Sequence, residues 1–317
     1  VDRKFILAVA QVGGIQPQES RHDVVARLVA MLEQAVAAGA KFVVFPELTL
    51  TTFFPRYWSD KISGHDQYFE REMPNEAVNP LFKAALSHGV GFYLGYAELT
   101  SDGHRYNTSI LVDSTGRIVG KYRKIHLPGH ADNLKELKAQ HLEKRYFEVG
   151  DLGFGVFDVD GVRFGMCLCN DRRWPEVYRM LSLQSADVVV LGYNTPLDVP
   201  GWQEEPHMKM STHLLSLAAG AYQNAVWVAA AGKSGTEDGT YMVGGSAIAS
   251  PAGEIVSKVI GDGDEVAFAQ IDLDYSEPFR QSVFNFAAHR RPEHYGLLVE
   301  RVGRGEPLPI PKSAGLT

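Results

Sequence analysis

Cys167 and Cys169 are the two cysteines of this chain, two residues apart. Along Phe164-Gly165-Met166-Cys167-Leu168-Cys169, strand alternation puts residues 164, 166 and 168 on one face and both thiols on the other. Asn170-Asp171-Arg172-Arg173 follows, then Trp174-Pro175-Glu176, with proline suited to a first helical turn. Cys169 therefore stands where a strand ends and a helix begins. Backbone N–H groups just after it lack helical acceptors and can hold an oxyanion. Arg172 and Arg173 are placed to favour a thiolate. That is a nucleophile's position, whereas Cys167, inside the strand, reads as a buried structural thiol.

Glu47 closes the apolar run Lys41-Phe42-Val43-Val44-Phe45-Pro46. A carboxylate at the carboxyl edge of a sheet is where α/β folds put their chemistry, and burial would raise its pKa enough to serve as a general base. Position alone equally allows a solvated loop glutamate. Lys124 lies in Lys121-Tyr122-Arg123-Lys124-Ile125-His126-Leu127-Pro128-Gly129. As a charge run this is a candidate solvated face. As a strand it puts Lys124, Tyr122 and His126 on one side, without saying which side is buried. His126 and His130 are four apart, but Pro128-Gly129 breaks the helix that would align them on a metal. No zinc-ligand spacing, Gly-x-Ser-x-Gly elbow or glycine-rich phosphate loop after a strand is present. The expectation is a site with neither metal nor cofactor.

The elements that must position these residues alternate along the whole chain. Strands are predicted at 5–12, 41–47, 91–99, 187–191 and 226–231, and helices at 19–38, 76–87, from about 174, and 207–223. Hairpins are expected at 106–122 around Asp113-Ser114-Thr115-Gly116, at 154–169 around Asp160-Gly161, and at 246–259. This is one α/β domain with helices covering mixed sheets, over about residues 1–302. Residues 303–317 are proline-rich, either a disordered end or an arm laid on a neighbouring subunit.

The 317 residues are 45% apolar and 22% charged, with a formal net charge of −7, an ordinary globular composition. That charge argues against nucleic-acid binding, and no segment is apolar enough to span a membrane. Two close cysteines make no disulfide framework, so a reducing, cytoplasmic setting is expected.

Phe45-Pro46-Glu47, Lys121 to Leu127 and Cys169 to Glu176 resemble, in order, the three signature segments of the nitrilase superfamily. The resemblance implies a four-layer α-β-β-α sandwich that pairs into dimers or tetramers, with Glu47, Lys124 and Cys169 as the catalytic set. Thr51 to Arg56, Arg105-Tyr106-Asn107-Thr108-Ser109, His141 to Glu148, Gly192-Tyr193-Asn194-Thr195-Pro196 and Phe284-Asn285-Phe286 are similar to the N-carbamoyl-D-amino-acid amidohydrolases within it. That likeness implies that Glu143 supports the lysine and cysteine. Arg172 and Arg173 would hold the substrate carboxylate with Asn170, Asn194 and Thr195, while His126 and His141 support the site. The implied reaction turns an N-carbamoyl-D-amino acid into the D-amino acid, carbon dioxide and ammonia through a cysteine thioester. Val149 replaces a proline of that pattern, Gly245 replaces a histidine, and the loops 129–140 and 197–207 depart from it most. The rival readings are a related amidase on carbamoyl-putrescine or an aliphatic amide, and a non-catalytic binding protein of the same fold.

Overall fold

The run Lys4–Gly13 forms β1, whose Leu7 to Ala10 are fully buried on both faces. Only a strand covered on both sides tolerates such a continuous apolar sequence. Next come α1 (Arg21–Ala37), capped by Ser20, then β2 (Ala40–Val44), α2 (Asn79–His88), β3 (Gly91–Leu99), β4 (Arg105–Val112) and β5 (Ile118–Arg123). A single turn, α3 (Glu143–Tyr146), precedes β6 (Val156–Val159), β7 (Val162–Leu168), α4 (Pro175–Leu183), β8 (Val188–Tyr193) and α5 (Lys209–Asn224). The remainder is β9 (Trp227–Glu237), β10 (Thr240–Val243), β11 (Ala247–Ala249), β12 (Ile255–Lys258), β13 (Glu265–Asp272) and short helical turns. The computed structural model describes residues 3–137, 140–199 and 204–307. Most of the proline-rich tail, and parts of both divergent loops, therefore lie outside the described residues.

One sheet has the order β5-β4-β3-β2-β1-β13 and the other β6-β7-β8-β9-β11-β12, and β1 also meets β9 at Val12–Lys233. Leu7, Val9, Phe42, Val44 and Tyr93 face Phe164, Met166 and Leu168 across the middle. The Phe42 and Phe164 rings stack there at 4.3 Å. The alternate residues Ala8, Ala10, Val43 and Phe92 lie against α1 and α2, and α4 and α5 cover the second sheet through Val177, Leu181, Leu217 and Ala221. This is the expected α-β-β-α sandwich.

β1, β2, β3, β7, β8 and β9 run parallel, and β5, two antiparallel steps from β3, has the same direction. The chain following β2, β5, β7 and β8 therefore emerges at one end of the sandwich, carrying Glu47, Lys124, Cys169 and Asn194. Three expectations need correction. The strand over 41–47 stops at Val44, because Pro46 cannot donate to the ladder. Lys124 lies one residue past β5, so it does not share a strand face with Tyr122 and His126. Cys169 lies just beyond β7, where its φ of +46° breaks the strand. β10 and β13 were not anticipated.

Candidate active site

Glu47 is completely buried. Its backbone is threaded between two glycines, one from each sheet. A Cβ on Gly95 would lie 2.8 Å from Glu47 Cα, and one on Gly192 would lie 2.4 Å from Glu47 N. No other residue type allows that approach. One carboxylate oxygen accepts from Lys124 Nζ at 2.7 Å and Asn107 Nδ2 at 2.8 Å. The other accepts from the Asn194 N–H at 2.9 Å.

Lys124, also fully buried, donates in addition to Glu143 at 2.6 Å. Glu143 takes a further contact from His141 Nε2 at 3.1 Å. Cys169 Sγ and one oxygen from each carboxylate all lie within 4.8 Å of one another. The Lys124 ammonium occupies the space between the carboxylates that a bridging cation would need. Cys169 sits in the left-handed region without being glycine, the kind of backbone strain that clusters at functional sites.

The two carboxylates are made unequal by their surroundings. Burial raises the Glu47 pKa, Lys124 only partly offsets this, and Glu143 adds repulsion. Burial acts on Glu143 in the same direction, but Lys124 and His141 outweigh it and hold the group below the usual carboxylate range. Burial works against the Lys124 charge, yet the surrounding anionic groups keep its pKa well above the ordinary value. Glu143 and Lys124 thus form an ion pair, whereas Glu47 is the carboxylate whose neutral form the surroundings favour. Burial, and then Glu47, push Cys169 up to about 12, and the pull of Lys124 and Arg172 does not reverse this. Cys169 is 5% exposed and rests as a thiol.

Asp171 ties the cysteine turn to the lysine segment. Its carboxylate accepts from Leu168 N, Tyr122 Oη and His126 N, and contacts His126 Nδ1 at 2.7 Å. Asn170 Nδ2 donates to His126 O. His126 stacks on Trp174 and lines a separate surface hollow with Lys144 and Phe147. Pro128, His141, Cys169, Asn170, Arg172, Arg173, Asn194, Thr195, Pro196 and Val199 line a narrow cavity, partly open to solvent.

Arg172 is 2% exposed and lies in that wall. It donates to His213 Nδ1 at 3.1 Å, Cys169 O at 2.7 Å and Thr195 Oγ1 at 3.0 Å, all neutral acceptors. Among the described residues no carboxylate pairs with it. Arg173 instead meets Glu204 at 3.2 Å, a partner that sequence proximity did not suggest. Asn194 Oδ1 is buried and finds no donor among the described residues.

Sequence reasoning gave no role to Asn107, His213 or Glu237. Asn107 was visible only as part of a similar segment. His213 is kept neutral by burial and by Arg172, and orients that guanidinium without balancing its charge. Glu237, buried at the end of β9, accepts from Arg56, Phe53 N and Ile15 N and pairs with Lys233. The segment it anchors holds the next in turn: Arg56 O and Pro55 O accept from Gln140 N and Leu142 N, which flank His141 and lead into Glu143.

Comparison with known proteins places this geometry in context. The carbon-nitrogen hydrolase family model matches residues 6–281. A nitrilase from Pyrococcus abyssi is 32% identical over 269 residues, covering 84% of this chain and 90% of that protein. An N-carbamoylputrescine amidase from Arabidopsis thaliana is 29% identical, covering 86% and 89%. The crystal structure of a carbon-nitrogen hydrolase from Helicobacter pylori has the same fold, with a TM-score of 0.81, 23% identity, and coverage of 94% and 99%. No helix among the described residues is long and apolar enough to cross a membrane.

Proposed function

The chain belongs to the carbon-nitrogen hydrolase family, and on that premise we propose that it hydrolyses the ureido C–N bond of N-carbamoyl-D-amino acids through a thioester on Cys169. Glu47 takes the thiol proton as sulfur attacks the carbamoyl carbon. Lys124 and the Asn170 N–H stabilise the oxygen that becomes negative. The C–N bond to the terminal nitrogen breaks, and Glu47 returns its proton to the departing ammonia. Water then gives a proton to Glu47 and its oxygen to the thioester carbon. The C–S bond breaks, sulfur regains its proton, and the released carbamate loses carbon dioxide to leave the amino acid. Glu143 stays ionised throughout and holds Lys124 in place.

The observation that carries the choice of substrate is Arg172. A buried guanidinium with neutral partners, in the wall that also holds Cys169, is a receptor for one carboxylate close to the scissile carbonyl. An N–H of the ureido group satisfies Asn194 Oδ1. The likeness to an amidase named for an N-carbamoyl substrate supports the ureido group, and the D configuration rests on the resemblance of the sequence segments. The test is ammonia release from N-carbamoyl-D- and L-amino acids, N-carbamoylputrescine and an aliphatic amide. Preference for the D-amino acid derivatives is expected. Turnover confined to the uncharged amide or the putrescine derivative would overturn the reading.

A further inference from the structure

The cavity wall carries two guanidiniums in unlike states. Among the described residues Arg172 has neutral hydrogen-bond partners only, while Arg173 Nη1 lies 3.2 Å from Glu204 Oε2, with the two side chains 29% and 17% exposed. Glu204 is itself fixed: the Thr212 hydroxyl donates to its other oxygen, and that oxygen belongs to a carboxylate held below the usual range by Thr212 and Arg173 against the effect of burial. Glu204 lies in one of the two loops that depart most from the family pattern.

We propose that Glu204 is a specificity-determining residue, which neutralises Arg173 and so limits the cavity to substrates with a single carboxylate. This rests on the reading of the substrate as an N-carbamoyl amino acid. The substrate's α-carboxylate is taken by Arg172. A second carboxylate, on the substrate side chain, meets the Arg173–Glu204 pair rather than a lone cation. It must either compete with an anion already in place or approach it as a like charge, which is unfavourable in a partly desolvated wall. Charge repulsion built into the pocket thus rejects acidic side chains, beyond any effect of size.

The experiment compares kcat/KM for N-carbamoyl-D-aspartate and N-carbamoyl-D-alanine in the full-length wild type, Glu204→Gln, and Glu204→Gln combined with Arg173→Gln. Removing the Glu204 charge should raise the aspartate-to-alanine ratio at least about tenfold, and the gain should vanish in the double variant because it needs Arg173. Thr212→Val, which removes the hydroxyl fixing Glu204, should shift the ratio in the same direction by less, and serves if the first variant folds poorly. Glu204→Asp should keep the wild-type ratio. An unchanged ratio in Glu204→Gln, or a gain that persists without Arg173, overturns the assignment. Failure of the underlying reading looks different: the wild type then hydrolyses neither N-carbamoyl substrate while still releasing ammonia from an uncharged amide.

Discussion

Replacing Arg172 with glutamine tests the substrate assignment where the structure makes it most exposed to failure. The side chain makes three hydrogen bonds to neutral N and O acceptors, each worth about 1 kcal/mol net, and a longer contact to Cys169 Sγ at 3.9 Å, so some loss of stability and of reactivity is expected whatever the substrate. That loss affects all substrates alike. The substrate-dependent part is the loss of the partner for a carboxylate in a largely desolvated cavity, on the scale of about 2–5 kcal/mol. At about 1.4 kcal/mol per tenfold, kcat/KM for an N-carbamoyl amino acid should fall by roughly 30-fold to several thousandfold more than for an N-carbamoyl amine lacking the carboxylate. Arg172→Lys should fall between, since an ammonium keeps the charge but cannot present two parallel donors. The assay is ammonia release under kcat/KM conditions, with the ratio between the two substrates as the readout. Equal losses on both, or a loss only in KM for the amine, would mean that Arg172 serves the turn around Cys169 and not the substrate.

Cys169→Ser should abolish turnover while Cys167→Ala, at a site inside β7, keeps much of it; ammonia release from the purified variants decides. Glu143→Gln removes the negative charge that helps raise the Glu47 pKa, so Glu47 titrates lower. A base works when deprotonated, so the acid limb of the kcat/KM profile should move to lower pH, with a reduced plateau because the base is weaker; a limb that stays in place or moves up contradicts the division of roles. Glu237→Gln leaves Arg56 and Lys233 without their shared carboxylate. It should lower kcat by about tenfold or more with KM changed little, because Glu143 is displaced rather than the carboxylate receptor; an unaltered kcat in a folded variant shows that the network is dispensable.

Much of this site was legible because its residues sit at the ends of strongly apolar strands, and alternation plus proline and glycine punctuation locates such ends well. The places of Cys167 inside β7 and Cys169 at its end came from that reasoning alone. Burial was not legible in the same way. Position alone left Glu47 open to a solvated and a buried reading alike, and only the close approach of Gly95 and Gly192, distant in sequence, encloses its backbone. The charge run at 121–126 proved to hold two kinds of residue: Lys121 and Arg123 pair with Glu98 near the surface, while Lys124 turns inward past the end of β5. The pull of Arg172 on the thiol was legible from its place beside Cys169, but the burial that outweighs it was not. Pairings across loops, such as Arg173 with Glu204, have no local signal. β13 escaped notice because it leaves Phe268 half exposed and sets alanines and polar residues among Val266 and Ile271, which blurs the alternation.

The central claim is a covalent intermediate on Cys169, and the most direct measurement is the mass of the cysteine-bearing peptide after acid quench within the first turnover of N-carbamoyl-D-alanine. The peptide is expected to gain the mass of the substrate less ammonia, with the added group on Cys169 and ammonia released in step with it. Ammonia release with the adduct on Cys167, or with both cysteines unmodified, would contradict the claim.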